Sequence, residues 1–121
     1  MDEFKLIVAG GRDFNDYHSL SKAISDLAEV ELADRAVSIV SGMARGADRM
    51  AYDFAKLNNV VVHEFPADWD RYGKAAGYRR NAEMAAFADG LLAFWDGSSR
   101  GTKNMIETMM KLGKPVHVIE Y

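Results

Sequence analysis

The chain has 121 residues, 49% hydrophobic and 27% charged, with a formal net charge of −3 and no cysteine. That length predicts one domain over 1–121 with a core of its own. The absence of cysteine excludes disulfides, a thiolate nucleophile and a thiolate metal site. No stretch is apolar for long enough to span a bilayer, and the opening Met1-Asp2-Glu3 has the wrong sign for a secretory signal, so a cytoplasmic chain without membrane contact is expected. The negative balance argues against nucleic acid as a partner.

Residues 4–9 form a short apolar run closed by Gly10-Gly11, which reads as a buried strand. After the loop Gly10-Gly11-Arg12-Asp13-Phe14-Asn15-Asp16, the spacing of Leu20, Ile24 and Leu27 predicts a helix to about residue 32, with Asp16 as its N-cap. The β-branched run 37–40 predicts a second strand, ending in Ser41-Gly42-Met43-Ala44-Arg45-Gly46-Ala47-Asp48. Met50, Phe54 and Leu57 line a second helix that ends at Asn58-Asn59, and residues 60–65 form a third strand stopped by Pro66. Residues 67–77, with Trp69, Arg71, Tyr72, Lys74 and two glycines, read as a long loop. A third helix is predicted over 78–88, a fourth strand over 91–95 and a fourth helix over 102–112, with Gly113 and Pro115 as its stop. Residues 116–119 form the last strand.

Short apolar strands alternating with helices predict the α/β class: a Rossmann-like three-layer sandwich around a parallel five-stranded sheet. Right-handed crossovers give the order 3-2-1-4-5, with the chain reversing direction between strands one and four. Ligands of open α/β sheets bind at the carboxyl ends of the strands, at that switch point.

On that rim every loop carries a cation: Arg12 after strand one, Arg45 after strand two, Arg71 and Lys74 after strand three, and Arg100 after strand four. Arg79 and Arg80 open the helix leading into strand four, while the opposite rim holds mainly Asp34-Arg35, Asn58-Asn59 and Asp89-Gly90. The asymmetry points to an anionic, phosphate-bearing ligand. Gly10, Gly11, Gly42, Gly46, Gly97 and Gly101 permit close backbone approach or simply tight turns. Ser41, Ser98, Ser99 and Thr102 offer hydroxyls to a phosphate or ribose, or act as helix caps. The loop Trp95-Asp96-Gly97-Ser98-Ser99-Arg100-Gly101-Thr102 precedes a helix start, where unsatisfied N–H groups and the macrodipole favour an anion.

Several common signatures are missing. Gly10-Gly11-Arg12-Asp13 does not continue as G-x-G-x-x-G, and strand two ends at Ser41 without the acidic residue that holds a dinucleotide ribose. No Walker A loop occurs. His18, His63 and His117 are scattered, so no metal site and no cofactor are expected.

Ser41-Gly42-Met43-Ala44-Arg45-Gly46-Ala47-Asp48 resembles the S-G-x-A-x-G-x-D loop of the SLOG superfamily, which includes Smf/DprA DNA-processing proteins and LOG-type phosphoribohydrolases. Arg80-Asn81-Ala82-Glu83-Met84 is similar to the R-K-x-x-M segment of the LOG proteins, and the Trp95-to-Thr102 loop to their P-G-G-x-G-T-x-x-E motif. Gly10-Gly11-Arg12-Asp13 matches the start of a small phage and bacterial branch known mainly as a domain of unknown function. The resemblance covers nearly the whole chain. It implies ligand binding by Gly10, Gly11, Arg12, Asp13, Ser41, Gly42, Met43, Arg45, Gly46, Asp48, Arg80, Asn81 and the stretch Asp96, Gly97, Ser98, Ser99, Arg100, Gly101 and Thr102. Two departures matter: Asn81 stands where LOG proteins have lysine, and Met105 where they have glutamate. Glu107 is two residues further on, about 200° round the helix. Arg80 and Asp96 are the remaining catalytic candidates.

Three readings therefore share one site. The first is a sensor or sequestering domain for a nucleotide-derived small molecule, with Trp69, Tyr72 or Trp95 available to stack on a base. The second is an N-glycosidic-bond hydrolase acting on nucleoside monophosphates. The third, by analogy with DprA, is single-stranded DNA binding, which the charge disfavours. Family analogy also suggests a homodimer or higher homo-oligomer.

Overall fold

The computed structural model describes residues 3–33 and 35–121; Met1, Asp2 and Asp34, the last expected on the amino rim, lie outside the described residues. Strands β1 (Glu3–Gly10), β2 (Ala36–Ser41), β3 (Val62–Glu64), β4 (Gly90–Trp95) and β5 (Val116–Glu120) form one sheet in the order β3-β2-β1-β4-β5. All four pairings are parallel. The α/β Rossmann-like architecture and the strand order are those expected from the sequence.

The helices are α1 (Tyr17–Val30), α2 (Ala47–Leu57), α3 (Trp69–Tyr72), α4 (Ala76–Phe87) and α5 (Arg100–Lys111), with a 3-10 turn at Gly73–Ala75 between α3 and α4. Alternation along the central strands divides the core into two layers, because successive side chains point to opposite faces. Leu6 and Val8 of β1, Ile39 of β2, and Leu92 and Phe94 of β4 pack with α1 and α2. Ile7, Ala9, Val40, Leu91 and Ala93 pack with Met84 and Ala85 of α4 and Met105, Ile106 and Met109 of α5. Burial on both faces explains why these strands read as unbroken apolar runs.

Local signals set most ends. Asp16 caps α1, its carboxylate accepting from the Ser19 N–H at 3.1 Å and from the Ser19 hydroxyl at 2.7 Å. Lys114 Nζ donates to the carbonyls of Ala85 and Ala88, both at 2.7 Å, and so satisfies the C-terminal end of α4. The segment 67–77 departs from its reading as a loop. Asp68 accepts from the Arg71 N–H at 3.2 Å and starts α3, and α4 begins at Ala76, two residues earlier than expected. Gly77 is tolerated inside α4 because the Trp69 ring packs over it, 3.4 Å from where a Cβ would stand.

No helix of the described residues is long and apolar enough to cross a membrane.

Candidate functional site

At the carboxyl ends of β1, β2 and β4 the structure opens a cavity of about 480 Å³. Its walls come from four places: the β1 loop (Gly10 to Asp13), the β2–α2 connection (Ala44, Arg45, Asp48), α3 and α4 with the turn between them (Trp69, Lys74, Tyr78, Arg80, Asn81), and the start of α5 (Ser99, Gly101, Thr102, Met105). A second cavity of about 380 Å³ adjoins it, lined by Gly42, Met43, Pro66 and Ala67 and sharing Arg12, Ala44, Arg45, Trp69 and Arg80 with the first.

The β1 and β2–α2 loops are interlocked. Gly46, at φ +87°, crosses so close to the β1 loop that a Cβ there would lie 2.2 Å from the Gly11 carbonyl oxygen and 2.8 Å from Arg12 backbone atoms. A Cβ at Gly10 would lie 2.6 Å from the Phe94 carbonyl oxygen. Ser41 is fully buried: its hydroxyl donates to the Asp48 carbonyl at 2.8 Å and accepts from the Met43 N–H at 3.1 Å. These glycines and Ser41 shape the wall; Ser41 and Gly46 do not face either cavity.

Arg80 is half-buried. It donates from Nη1 to the Gly42 carbonyl and, at 3.5 Å, to the Phe65 carbonyl, and from Nε to Asn81 Oδ1 at 3.1 Å. Asn81 in turn donates to the Gly101 carbonyl at 3.2 Å and to Asn104 Oδ1 at 3.0 Å. This chain ties the β2 loop through α4 to the first turn of α5. Beside it stands Asp48, 5% exposed on the cavity wall. A Cβ on Gly42 would strike both partners, 2.6 Å from Arg80 Nη1 and 2.7 Å from Asp48 Oδ2. Burial pushes the Asp48 carboxyl up to about 6, against the opposing pull of Arg80 and of the Ala44 and Gly10 N–H groups. Burial also lowers the Arg80 guanidinium from its ordinary value.

The fourth wall is built differently. Asp96 accepts from the Ser98 and Ser99 N–H groups at 2.9 and 2.8 Å, which holds its carboxyl below the usual range. Trp95 Nε1 donates to the Ser99 carbonyl at 3.1 Å. The first backbone bond of α5 runs from Lys103 N–H to the Ser99 carbonyl, which leaves the N–H groups of Arg100, Gly101 and Thr102 without a backbone acceptor. The Ser99 and Thr102 hydroxyls meet at 3.1 Å.

The predicted site residues thus fall into groups. Gly10, Gly11, Arg12, Asp13, Arg45, Asp48, Arg80, Asn81, Asp96, Ser99, Gly101 and Thr102 line the larger cavity; Gly42 and Met43 line the smaller. Gly97 and Ser98 lie off both cavities, and so does Arg100, which is exposed on α5. Of the aromatic candidates, Trp69 borders both cavities, Tyr72 is stacked by Arg79 at 4.0 Å, and Trp95 secures the β4 loop. Sequence reasoning missed Tyr78, which reaches the cavity because α4 starts early. It also missed Tyr121, whose hydroxyl donates to Asp13 at 2.6 Å across the rim. No local signal links positions 13 and 121; the parallel β4–β5 pairing brings them together.

Among the described residues no group of three His, Asp or Glu side chains could hold a metal ion.

Comparison with known proteins agrees with this architecture. The YspA, cpYpsA-related SLOG family profile matches residues 4–72. The Gene 61 protein of Mycobacterium phage D29 is 36% identical over 118 residues, 93% of each chain. DNA processing protein A from Helicobacter pylori, described for its single-stranded DNA binding mode, superposes with a TM-score of 0.62 at 20% identity. That match covers 95% of this chain and 64% of the other, and it is a likeness of fold. It also corrects one expectation. The net charge of −3 argued against nucleic acid, yet a protein of this fold binds single-stranded DNA. Net charge is the wrong quantity, because a local field is set by where the charges stand. Here Arg12, Arg45, Lys74 and Arg80 line one cavity, and of the three carboxylates on its walls Asp13 accepts from Tyr121, Asp96 from the Ser98 and Ser99 N–H groups, and Asp48 is buried.

Proposed function

This chain belongs to the YspA, cpYpsA-related SLOG family, and on that premise we propose that its rim cavity binds a nucleotide or nucleotide-derived ligand through a phosphate, as a sensor or sequestering domain. The observation that carries this reading is the meeting of two anion-binding devices in one cavity. Arg12, Arg45, Lys74 and Arg80 supply full charges, and the start of α5 supplies acceptor-free N–H groups at the positive end of its dipole.

Binding is favoured over cleavage because no spare carboxylate stands on the α5 wall, and the two on the opposite walls are engaged, Asp13 by the Tyr121 hydroxyl and Asp48 by burial beside Arg80. On the α5 wall Met105 faces the cavity, Glu107 is exposed and off it, and Asp96 is committed to the Ser98 and Ser99 N–H groups. Hydrolysis of an N-glycosidic bond needs a group that positions water.

A second reading is single-stranded DNA binding. It is favoured by the fold shared with DNA processing protein A and by two exposed aromatics, Trp69 and Tyr78, beside Lys74 on the cavity wall. Thermal melting with AMP, GMP, CMP and UMP, alongside chromatography for free base, tests the first reading. A raised Tm without free base supports it. Release of base would move the chain to the hydrolases, and a Tm raised only by an oligonucleotide would favour the DNA reading.

A further inference from the structure

The two adjoining cavities differ in what they share and what they keep. Arg12, Arg45 and Arg80 stand on the wall common to both, with Trp69 beside them and Arg12 stacked 6.0 Å over its ring. Away from that wall the larger cavity presents Tyr78, Met84 and Met105 together with Lys74, Asp13, Asp48 and Asp96, and the smaller presents Met43, Pro66 and Ala67. Each volume, about 480 and 380 Å³, falls within the range of roughly 300–1,000 Å³ of ordinary ligand sites. Three of the four cations therefore lie in the middle, with apolar side chains to either side of them.

Met43 adds an independent observation. Its φ of +62° puts a non-glycine residue in the left-handed region, which costs on the order of 1 kcal/mol. That conformation, held by the Met43 N–H donating to Ser41 Oγ, sets Met43 on the wall of the smaller cavity. Arg80 is pre-set as well, since its guanidinium is held by the Gly42 and Phe65 carbonyls before any ligand arrives.

From this arrangement we infer that the site takes two nucleoside units joined through phosphate, the bridging phosphate on the Arg12–Arg45–Arg80 wall and one base in each cavity. The inference rests on the nucleotide reading above and narrows it. The bridged pair could be a free dinucleotide or one step of a single strand, and the chemistry the site recognises is the same.

Isothermal titration with AMP, with the 5′-phosphorylated dinucleotide pApA and with an oligo(dA) 12-mer tests it. The expected result is that pApA binds at least tenfold more tightly than AMP. Ala67→Trp, which fills the smaller cavity, should remove the advantage of pApA over AMP, with an unaltered melting curve as the control for folding. If Ala67→Trp does not fold, the comparison of pApA with AMP on the native chain decides the matter alone. Equal affinity for AMP and pApA would overturn the two-unit site and leave the nucleotide reading standing. Binding of none of the three, with no response to GMP, CMP or UMP either, would overturn both. Where pApA binds, an oligonucleotide of comparable affinity identifies a strand as the source, and exclusion of the oligonucleotide identifies a free dinucleotide.

Discussion

The two glycine-bearing walls of the cavity look alike in sequence and behave differently in space. On the β1 and β2–α2 side, Gly10, Gly11, Gly42 and Gly46 are all wedged, with a Cβ at each meeting another atom within 2.8 Å. On the β4–α5 side, Gly97 and Gly101 have nothing within 4 Å. The first set lets protein touch protein; the second leaves the start of α5 open to something else. A glycine-rich loop is thus a packing device on one wall and an approach on the other.

Breaking the wedged wall should have the largest effect. Gly46→Ala places a Cβ against the Gly11 carbonyl at a φ that alanine disfavours, and should cost more than about 3 kcal/mol, read as a collapse of Tm or loss of soluble protein.

Next comes Asp48. A carboxyl whose folded value is raised from 3.8 to about 6 binds more protons when folded than when unfolded between those values. Stability therefore falls as pH rises from 3.8 to about 6 and is flat above, by up to on the order of 3 kcal/mol in all. Denaturant melts of the native chain and of Asp48→Asn across pH 4–7 should diverge over that window and run parallel above it. Affinity for sulfate, which does not itself titrate there, should rise as pH drops through 6, because the charge opposing Arg80 is being neutralised. A pH-independent difference between the two proteins would contradict the assignment.

Arg80→Ala should cost about 2 kcal/mol in stability as well as abolishing stabilisation by AMP, since it orphans the Gly42 and Phe65 carbonyls and unties Asn81. Loss of AMP binding at unchanged Tm would reduce it to a surface clamp.

The open wall should give the smallest change. Gly101→Ala, in the first turn of α5 with free space around it, should leave stability unchanged or raise it by about 0.5 kcal/mol, while weakening AMP by crowding the N–H groups. A large loss of stability there would erase the distinction between the walls.

The sheet was legible because its signal is local and strong. Runs such as Leu6-Ile7-Val8-Ala9 and Leu91-Leu92-Ala93-Phe94 are buried on both faces and admit one reading. The rim was legible to the extent that cations and glycines sit in loops whose edge the topology fixes. What stayed hidden depends on side-chain reach. Arg80 read as a clamp for a ligand and is also a tie between loops. Asp96 read as a catalytic candidate, and its carboxylate accepts from the Ser98 and Ser99 N–H groups. Arg100, next to Gly101 which lines the larger cavity, points off both cavities because a helix turns successive residues by about 100°. Segment 67–77 hid its helix because Asp68 and a single turn carry little periodicity.

The carboxyl-edge cavity is the proposed binding site. Titrating the ¹⁵N-labelled chain with AMP and following its amide resonances tests it most directly. Shifts should concentrate at Arg12, Ala44, Arg45, Gly101 and Thr102. Shifts confined to the groove between α1 and β5, around Lys22, Leu27 and Ile119, would contradict it.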